Sequence, residues 1–227
     1  VPLNRRAVIF TGGELGYWAL KLLRQDDFLI GADSGALYLI RNNHRPNLAI
    51  GDFDSVSNTE LTYIREGSHQ TVAVDPIDKN HTDTELAFLR AIEMEPTEIL
   101  LLGALGGRLD HTLANLHLLV QAHHNGIPAA IADEYQRIQL VTDHAEITAD
   151  QYSYVSLLPL TPEVRGIHLH GFEYPLSDAV LTMGQSLGIS NQLISPHGEI
   201  EVGEGWLLVI QSSDAPLGTS SAARSRA

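Results

Sequence analysis

Seven aspartates fall in four short motifs whose residue types and spacing suit chemistry on phosphate esters. Asp33 lies in Gly31-Ala-Asp-Ser-Gly35, and Asp52 and Asp54 lie in Gly51-Asp-Phe-Asp-Ser55. Asp78 and Asp83 belong to Asp75-Pro-Ile-Asp-Lys-Asn-His-Thr-Asp83, and Asp110 closes Gly103-Ala-Leu-Gly-Gly-Arg-Leu-Asp110. In an extended segment, residues two apart point the same way, so Asp52 and Asp54 are expected to face one ion. Phe53 between them should turn into the core. Hard carboxylate oxygens suit Mg²⁺, which takes one or two of them plus waters and substrate phosphate oxygens. Arg108 is placed to grip a phosphate with its planar fork, and Gly106 and Gly107 would let phosphate approach the backbone. Thr82 to Glu85 also reads as a capping box, with Thr82 as the cap and Glu85 reaching back.

These motifs need a frame that brings them together, and the apolar pattern supplies one. Ala7 to Thr11, Phe28 to Ala32, Leu48 to Ile50, Thr71 to Val74, Ile99 to Leu102 and Ala129 to Ala132 read as buried strands. Helical spacing separates them at Leu15 to Leu23, Leu37 to Arg41, Leu61 to Arg65, Leu86 to Met94 and Leu109 to His124. Leu109, Leu113, Leu116 and Val120 share one face of the last helix. Alternation of this kind predicts an α/β domain over residues 1–135, a mostly parallel sheet with helices on both faces. Ligands of such sheets bind outside the carboxyl ends of the strands, where all four motifs fall. From Tyr135 the pattern changes to short strands separated by Gly, Pro, Asp and Asn turns, which predicts an all-β, sandwich-like domain over 136–214. Trp206 is expected in its core. The stretch 215–227 is rich in Ser, Ala and Arg, lacks periodicity, and reads as a disordered tail.

Composition narrows the function classes. Fourteen Lys and Arg against 28 Asp and Glu give a formal charge of −14, which disfavours nucleic acid and anionic membranes as partners. There is no cysteine, so disulfides, thiolate metal sites and cysteine nucleophiles are excluded and a cytoplasmic location is expected. The longest apolar runs are strand-length rather than membrane-spanning. Eleven histidines show no zinc spacing; His168 and His170 should be exposed on a strand, and His81 and His111 flank the aspartate motifs. No Walker loop and no Gly-x-Ser-x-Gly occurs. Gly12-Gly-Glu-Leu-Gly16 after the first strand is a further place for a nucleotide.

Taken together, Ala32-Asp-Ser-Gly35, Gly51-Asp-Phe-Asp-Ser55, Asp78 through Thr82-Asp83, and Gly103 through Gly107-Arg108-Leu-Asp110-His-Thr-Leu-Ala-Asn115 resemble the thiamin pyrophosphokinase family. Gly171-Phe-Glu-Tyr-Pro-Leu176 and Gly188-Ile-Ser-Asn191 extend the resemblance into the second domain. The resemblance implies transfer of a pyrophosphoryl group from ATP to the thiamin hydroxyl, giving thiamin diphosphate and AMP. It also implies a homodimer with sites between subunits. Asp52, Asp54 and Asp83 would then hold Mg²⁺, and Arg108 would bind phosphate. Asp33, Asp78, Thr82, Gly107 and Asp110 would shape the ATP site, while Ser190 and Asn191 from a partner subunit would contact thiamin. The chain departs from the family pattern at Asn47 and Asn80, where acids are frequent, and at Ser34. Three rival readings remain at this level: a pyrophosphokinase acting on another alcohol such as a pterin, a metal-dependent phosphohydrolase, and a non-catalytic nucleotide- or thiamin-sensing protein.

Overall fold

A computed structural model describes residues 2–74 and 81–216 and divides them into two compact units, which meet between Asp133 and Glu134. Asp78 and Asn80 lie outside the described residues, as does the tail from residue 217 onward.

The first unit alternates strand and helix: β1 (Ala7–Phe10), α1 (Tyr17–Lys21), β2 (Phe28–Ala32), α2 (Ser34–Arg41), β3 (Leu48–Gly51), α3 (Asn58–Gly67), β4 (Thr71–Ala73), α4 (Asp83–Glu93), β5 (Ile99–Leu102), α5 (Leu109–His124) and β6 (Ala129–Ala132). The six strands pair in parallel in the order β4-β3-β2-β1-β5-β6. Every residue of β1 is fully buried, so both faces of the sheet are covered at its centre. On one face Val8, Phe10, Leu100 and Leu102 pack with Trp18, Ala19 and Leu39. A buried ion pair closes the far end of the unit. Arg6 donates to both carboxylate oxygens of Asp27, at 2.9 and 2.7 Å, and to the carbonyl of Leu22.

The structure departs from the sequence pattern at three places. Helix α1 is shorter than Leu15 to Leu23, because Gly16 caps it without a side chain and its end tightens into turns from Leu22 N–H to Ala19 O and Leu23 N–H to Leu20 O. Helix α5 does not bury Leu109, Leu113, Leu116 and Val120; its buried face is Asn115, Leu118, Leu119 and Ala122. Only half of the capping box at α4 forms: Thr82 accepts from Glu85 N–H, but the Glu85 carboxylate turns to His81 Nδ1 at 3.1 Å. A complete box stands instead at α3, between Ser57 and Glu60.

The second unit is all β. Strands β7 (Gln136–Val141), β13 (Leu207–Ser212) and β9 (Tyr154–Pro159) pair antiparallel, as do β11 (Leu176–Thr182), β10 (Glu163–His170), β12 (His197–Glu201) and β8 (His144–Thr148). Val141, Val155, Leu157, Leu207 and Val209 from the first set share one core with Ile147, Val164, Leu169, Leu181 and Ile200 from the second, which makes a sandwich. β12 alternates exposed and buried residues along its length, as one wet face requires. Trp206 is only half-buried, at the start of β13 rather than within this core. His168 and His170 stack 6.5 Å apart on β10.

Candidate active site

Strand order reverses between β1 and β5, since the chain winds outward through β2, β3 and β4 on one side and β6 on the other. Such a reversal opens a crevice at the carboxyl ends of the strands, and a cavity of ≈ 680 Å³ occupies it. Thr11 enters from the end of β1, Asp33 from β2, Asp52 from β3, and Gly103 to Arg108 from β5; Thr82 and Asp83 come from the start of α4. The loops after β1 and β5 are bound together, with the Thr11 hydroxyl donating to Gly103 O at 2.5 Å. Gly13 meets the same carbonyl so closely that a Cβ there would lie 2.0 Å from Gly103 O. The glycines after β1 therefore serve loop-on-loop packing as well as access.

Asp33, Asp52 and Asp83 line this cavity together. Asp33 takes the N-cap position of α2 at φ 50° without capping it through its side chain. Oδ2 instead accepts from the Ser55 hydroxyl, while Oδ1 is buried with no partner among the described residues. Asp83 Oδ1 accepts from Asp52 N–H at 3.0 Å, and Asp52 Oδ1 accepts from Asp54 N–H at 3.0 Å. Burial pushes the Asp33 carboxyl above the usual aspartate range, and the charges of Asp52 and Asp54 add to the effect. Asp83 is raised for the same leading reason, with Asp52, Asp33 and Asp54 adding repulsion. These groups are costly to ionise together, as expected where a cation or a proton is to be received.

The extended geometry expected at Asp52-Phe-Asp54 is absent. Phe53 adopts φ 58°, so the segment turns sharply after β3 and the two carboxylates do not line up by strand pleat. Phe53 does enter the core, packing with Ala36, Leu37, Ala49 and Ile64. Asp54 is exposed and lies outside the cavity lining, tied to it through the Asp52 carboxylate. Among the described residues no three carboxylate or imidazole groups form a ready-made metal cage. Asn47 also falls away from the site. It stands at the opposite end of β3, and its Oδ1 accepts from Leu29 N–H at 2.8 Å to hold β3 against β2.

Gly103, Gly106 and Gly107 all have positive φ, and a Cβ at Gly106 or Gly107 would meet nothing, so these two are selected by backbone conformation rather than by crowding. Arg108 follows at the N-cap of α5 and lines the cavity. Its guanidinium grips Asp110 in two hydrogen bonds of 3.2 and 2.5 Å, which holds the Asp110 carboxyl below the usual range. Asp110 itself is exposed and outside the lining, so its visible role is to orient Arg108. The cavity walls also carry Gly12, Gly13 and Glu14 of the Gly12–Gly16 segment, and residues to which the motifs gave no role: Thr11 and Asn115, together with His81 and His111. The position of Thr11 directly after the central strand was the available signal.

Ser190 and Asn191 belong to the second unit. Ser190 is exposed at φ 59°, its N–H donating to Ser156 Oγ at 3.0 Å. Asn191 is buried, and its amide is spent locally: Oδ1 accepts from Tyr174 and Gln192 N–H, and Nδ2 donates to Tyr174 O.

Comparison with known proteins identifies the family and the fold. Residues 19–131 match the model described as thiamin pyrophosphokinase, catalytic domain, and residues 143–207 match thiamin pyrophosphokinase, vitamin B1 binding domain. Thiamine pyrophosphokinase of Bacillus subtilis (strain 168) is 34% identical over 187 residues, 82% of this chain and 87% of the relative. The crystal structure of a B. subtilis thiamine pyrophosphokinase superposes with a TM-score of 0.86 at 30% identity, over 93% of this chain and 100% of that one. That of Geobacillus thermodenitrificans thiamin pyrophosphokinase gives 0.84 at 31% identity, over 92% and 98%. The Candida albicans thiamin pyrophosphokinase, at 16% identity over 92% of this chain and 90% of that one, still gives 0.79 and shows the fold alone. The chain belongs to the thiamin pyrophosphokinase family.

Proposed function

We propose that this chain transfers the pyrophosphoryl group of ATP to the hydroxyl of thiamin, releasing AMP. The observation that carries the reading is the meeting of Asp33, Asp52 and Asp83 with the Gly106-Gly107-Arg108 loop on the walls of one cavity. In the reaction the thiamin oxygen forms a bond to the β-phosphorus as the bond from that phosphorus to the oxygen bridging the α-phosphorus breaks. The electron pair of the broken bond leaves with AMP.

The cavity residues fit Mg²⁺. Asp52 and Asp83 are hard oxygen ligands on the cavity wall, linked by one hydrogen bond. Asp52 and Asp83 would hold the ion from the wall and Asp54 from the rim. Bound there, Mg²⁺ neutralises charge on the ATP phosphates. Positioning is the protein's remaining task, and correct placement of two reactants is worth roughly 7–11 kcal/mol. Arg108, pre-oriented by Asp110, binds phosphate oxygens through donors in a fixed plane. Of the carboxylates on the cavity wall, that of Asp33, raised by burial, is the one suited to take the proton of the thiamin hydroxyl. Thr82 serves the nucleotide side by fixing the first turn of α4 ahead of Asp83, and Asp78, outside the described residues, is assigned to ATP by the family resemblance alone. Thiamin carries a cationic ring, which an acidic cavity favours.

A homodimer would complete the site, with Ser190 and Asn191 of the partner subunit on the thiamin side. Since the Asn191 amide is already bonded within its own chain, its contribution is to hold the loop that presents Ser190. No helix among the described residues is long and apolar enough to cross a membrane. We place the enzyme in the cytoplasm on the ground of its cysteine-free sequence. The deciding experiment is AMP release from ATP and Mg²⁺ with and without thiamin, followed by product mass. Thiamin-dependent AMP with thiamin diphosphate is expected. Phosphate release without an acceptor, or AMP only with another alcohol, would overturn the reading.

A further inference from the structure

The loop between β5 and α5 has little hydrogen bonding of its own. Gly103, Gly106 and Gly107 sit at φ 73°, 88° and 62°, and the backbone N–H groups of residues 104 to 108 find no acceptor among the described residues. A run of unpaired amides containing left-handed residues, ahead of a helix N-terminus, suits anionic oxygens. Such a loop is useful only if it is held still. Its carbonyls are held by side chains: Thr11 Oγ1 donates to Gly103 O, Asn115 Nδ2 to Ala104 O at 2.8 Å, and Thr112 Oγ1 to Gly106 O at 3.3 Å.

Of these, Asn115 is the unexpected one. It is the single polar residue on the buried face of α5, only 7% exposed, where Leu118, Leu119 and Ala122 would lead one to expect another apolar side chain. A buried amide is kept where its hydrogen bond is needed, because desolvating it otherwise costs stability. Asn115 also lines the cavity.

We propose that Asn115 is a positioning residue for ATP: its carboxamide anchors Ala104 O and thereby fixes the amides of the Gly103–Arg108 loop for the phosphates. The inference rests on the ATP-dependent reading above and deepens it. Thr112 supports the same loop from the next turn of the helix, more weakly, through its longer bond.

The test compares Asn115→Leu, which keeps volume but removes the donor, with Thr112→Val and with Asn125→Ala. Asn125 donates Nδ2 to Gln121 O at 2.8 Å at the exposed far end of α5, and controls for loss of a side-chain bond on this helix away from the cavity. Initial rates give KM for ATP and for thiamin separately, and calorimetry gives ATP affinity without turnover. For Asn115→Leu the ATP KM and dissociation constant should rise by roughly tenfold or more, with the thiamin KM within twofold. Thr112→Val should move the same way by a smaller factor, and Asn125→Ala should move neither. Should Asn115→Leu not fold, Thr112→Val decides. ATP parameters within twofold of wild type in the folded variants, or equal losses for ATP and thiamin, would overturn the inference while wild-type activity stands. A wild-type protein that neither binds ATP nor releases AMP would instead remove the functional reading beneath it.

Discussion

Replacing Phe53 tests whether the carboxylate cluster depends on packing one layer below it. Phe53 is 4% exposed and fills a pocket formed by α2, β3 and α3 through Ala36, Leu37, Ala49 and Ile64. Removing a buried phenyl ring to alanine costs about 3–5 kcal/mol. Phe53 lies in a loop that can partly collapse, which favours the lower end, about 3–4 kcal/mol. Total stability of a domain is about 5–15 kcal/mol, so the variant should still fold. Backbone conformation adds a second, signed expectation. At φ 58° a residue with a Cβ is strained by about 1–2 kcal/mol, a cost glycine avoids. Glycine in turn loses about 0.5–1 kcal/mol through the entropy of the unfolded chain. Phe53→Gly should therefore be about 0.5–1 kcal/mol more stable than Phe53→Ala, the reverse of the order in a helix. Phe53→Leu should lose about 1 kcal/mol. Urea unfolding at constant m-value measures all three. Because the ring anchors the turn carrying Asp52 and Asp54, kcat/KM in the Ala and Gly variants should drop about 100-fold at a temperature where both are folded. A loss below 1 kcal/mol, an alanine variant more stable than the glycine variant, or unchanged kcat/KM would each refute this account.

Other consequences follow from the same geometry. Asp33→Asn should unfold at a higher temperature than wild type at neutral pH without divalent cations, and transfer about 100-fold or more slowly. The sign follows from the raised Asp33 carboxyl: the folded state binds more protons than the unfolded chain, so stability falls as pH rises from the ordinary aspartate range through the raised one. The gap in melting temperature should close below the ordinary aspartate range; a variant less stable than wild type at neutral pH would contradict the assignment. Asp27→Ala should cost about 3–5 kcal/mol in urea unfolding, because it leaves a buried Arg6 uncompensated, whereas Arg6→Met with Asp27→Leu should recover most of that loss. Thr82→Ala should cost about 1 kcal/mol and raise the ATP KM by loosening the first turn of α4, while Thr82→Ser should do neither.

Much of the fold was legible because buried parallel strands announce themselves as short continuous apolar runs. Ile99–Leu102 and Ala129–Ala132 have the ends their sequence implies. The helix faces were less legible. An apolar stripe at Leu109, Leu113 and Leu116 is a good local pattern, yet which stripe is buried is decided by the neighbouring sheet and, at Asn115, by a loop eleven residues away. The turn at Phe53 was hidden for a different reason: nothing in Gly-Asp-Phe-Asp-Ser signals a left-handed phenylalanine, and the conformation survives because burial of the ring offsets its strain. Asn47, at a position where the family often has an acid, is a strand staple, a role set by the pairing of β3 with β2 and not by its own neighbours in sequence.

The division of labour inside the cavity follows from what each kind of residue can do alone. Carboxylates at strand ends are common, and singly they cap helices or close turns. Here Asp33 occupies a cap position without a side-chain cap bond, and leaves one oxygen buried and unbonded. Asp83 begins a helix that Thr82 already caps, which frees its own carboxylate to accept from Asp52 N–H. Asp110 orients an arginine. Neighbouring residues thus relieve the aspartates of structural duty: Thr82 at α4 and Ser55 beside Asp33. Removing such a helper should convert an aspartate back to a structural role. Ser55→Ala, which leaves Asp33 without its hydroxyl donor, should therefore lower kcat more than it lowers stability, and equal proportional losses in both would refute that reasoning.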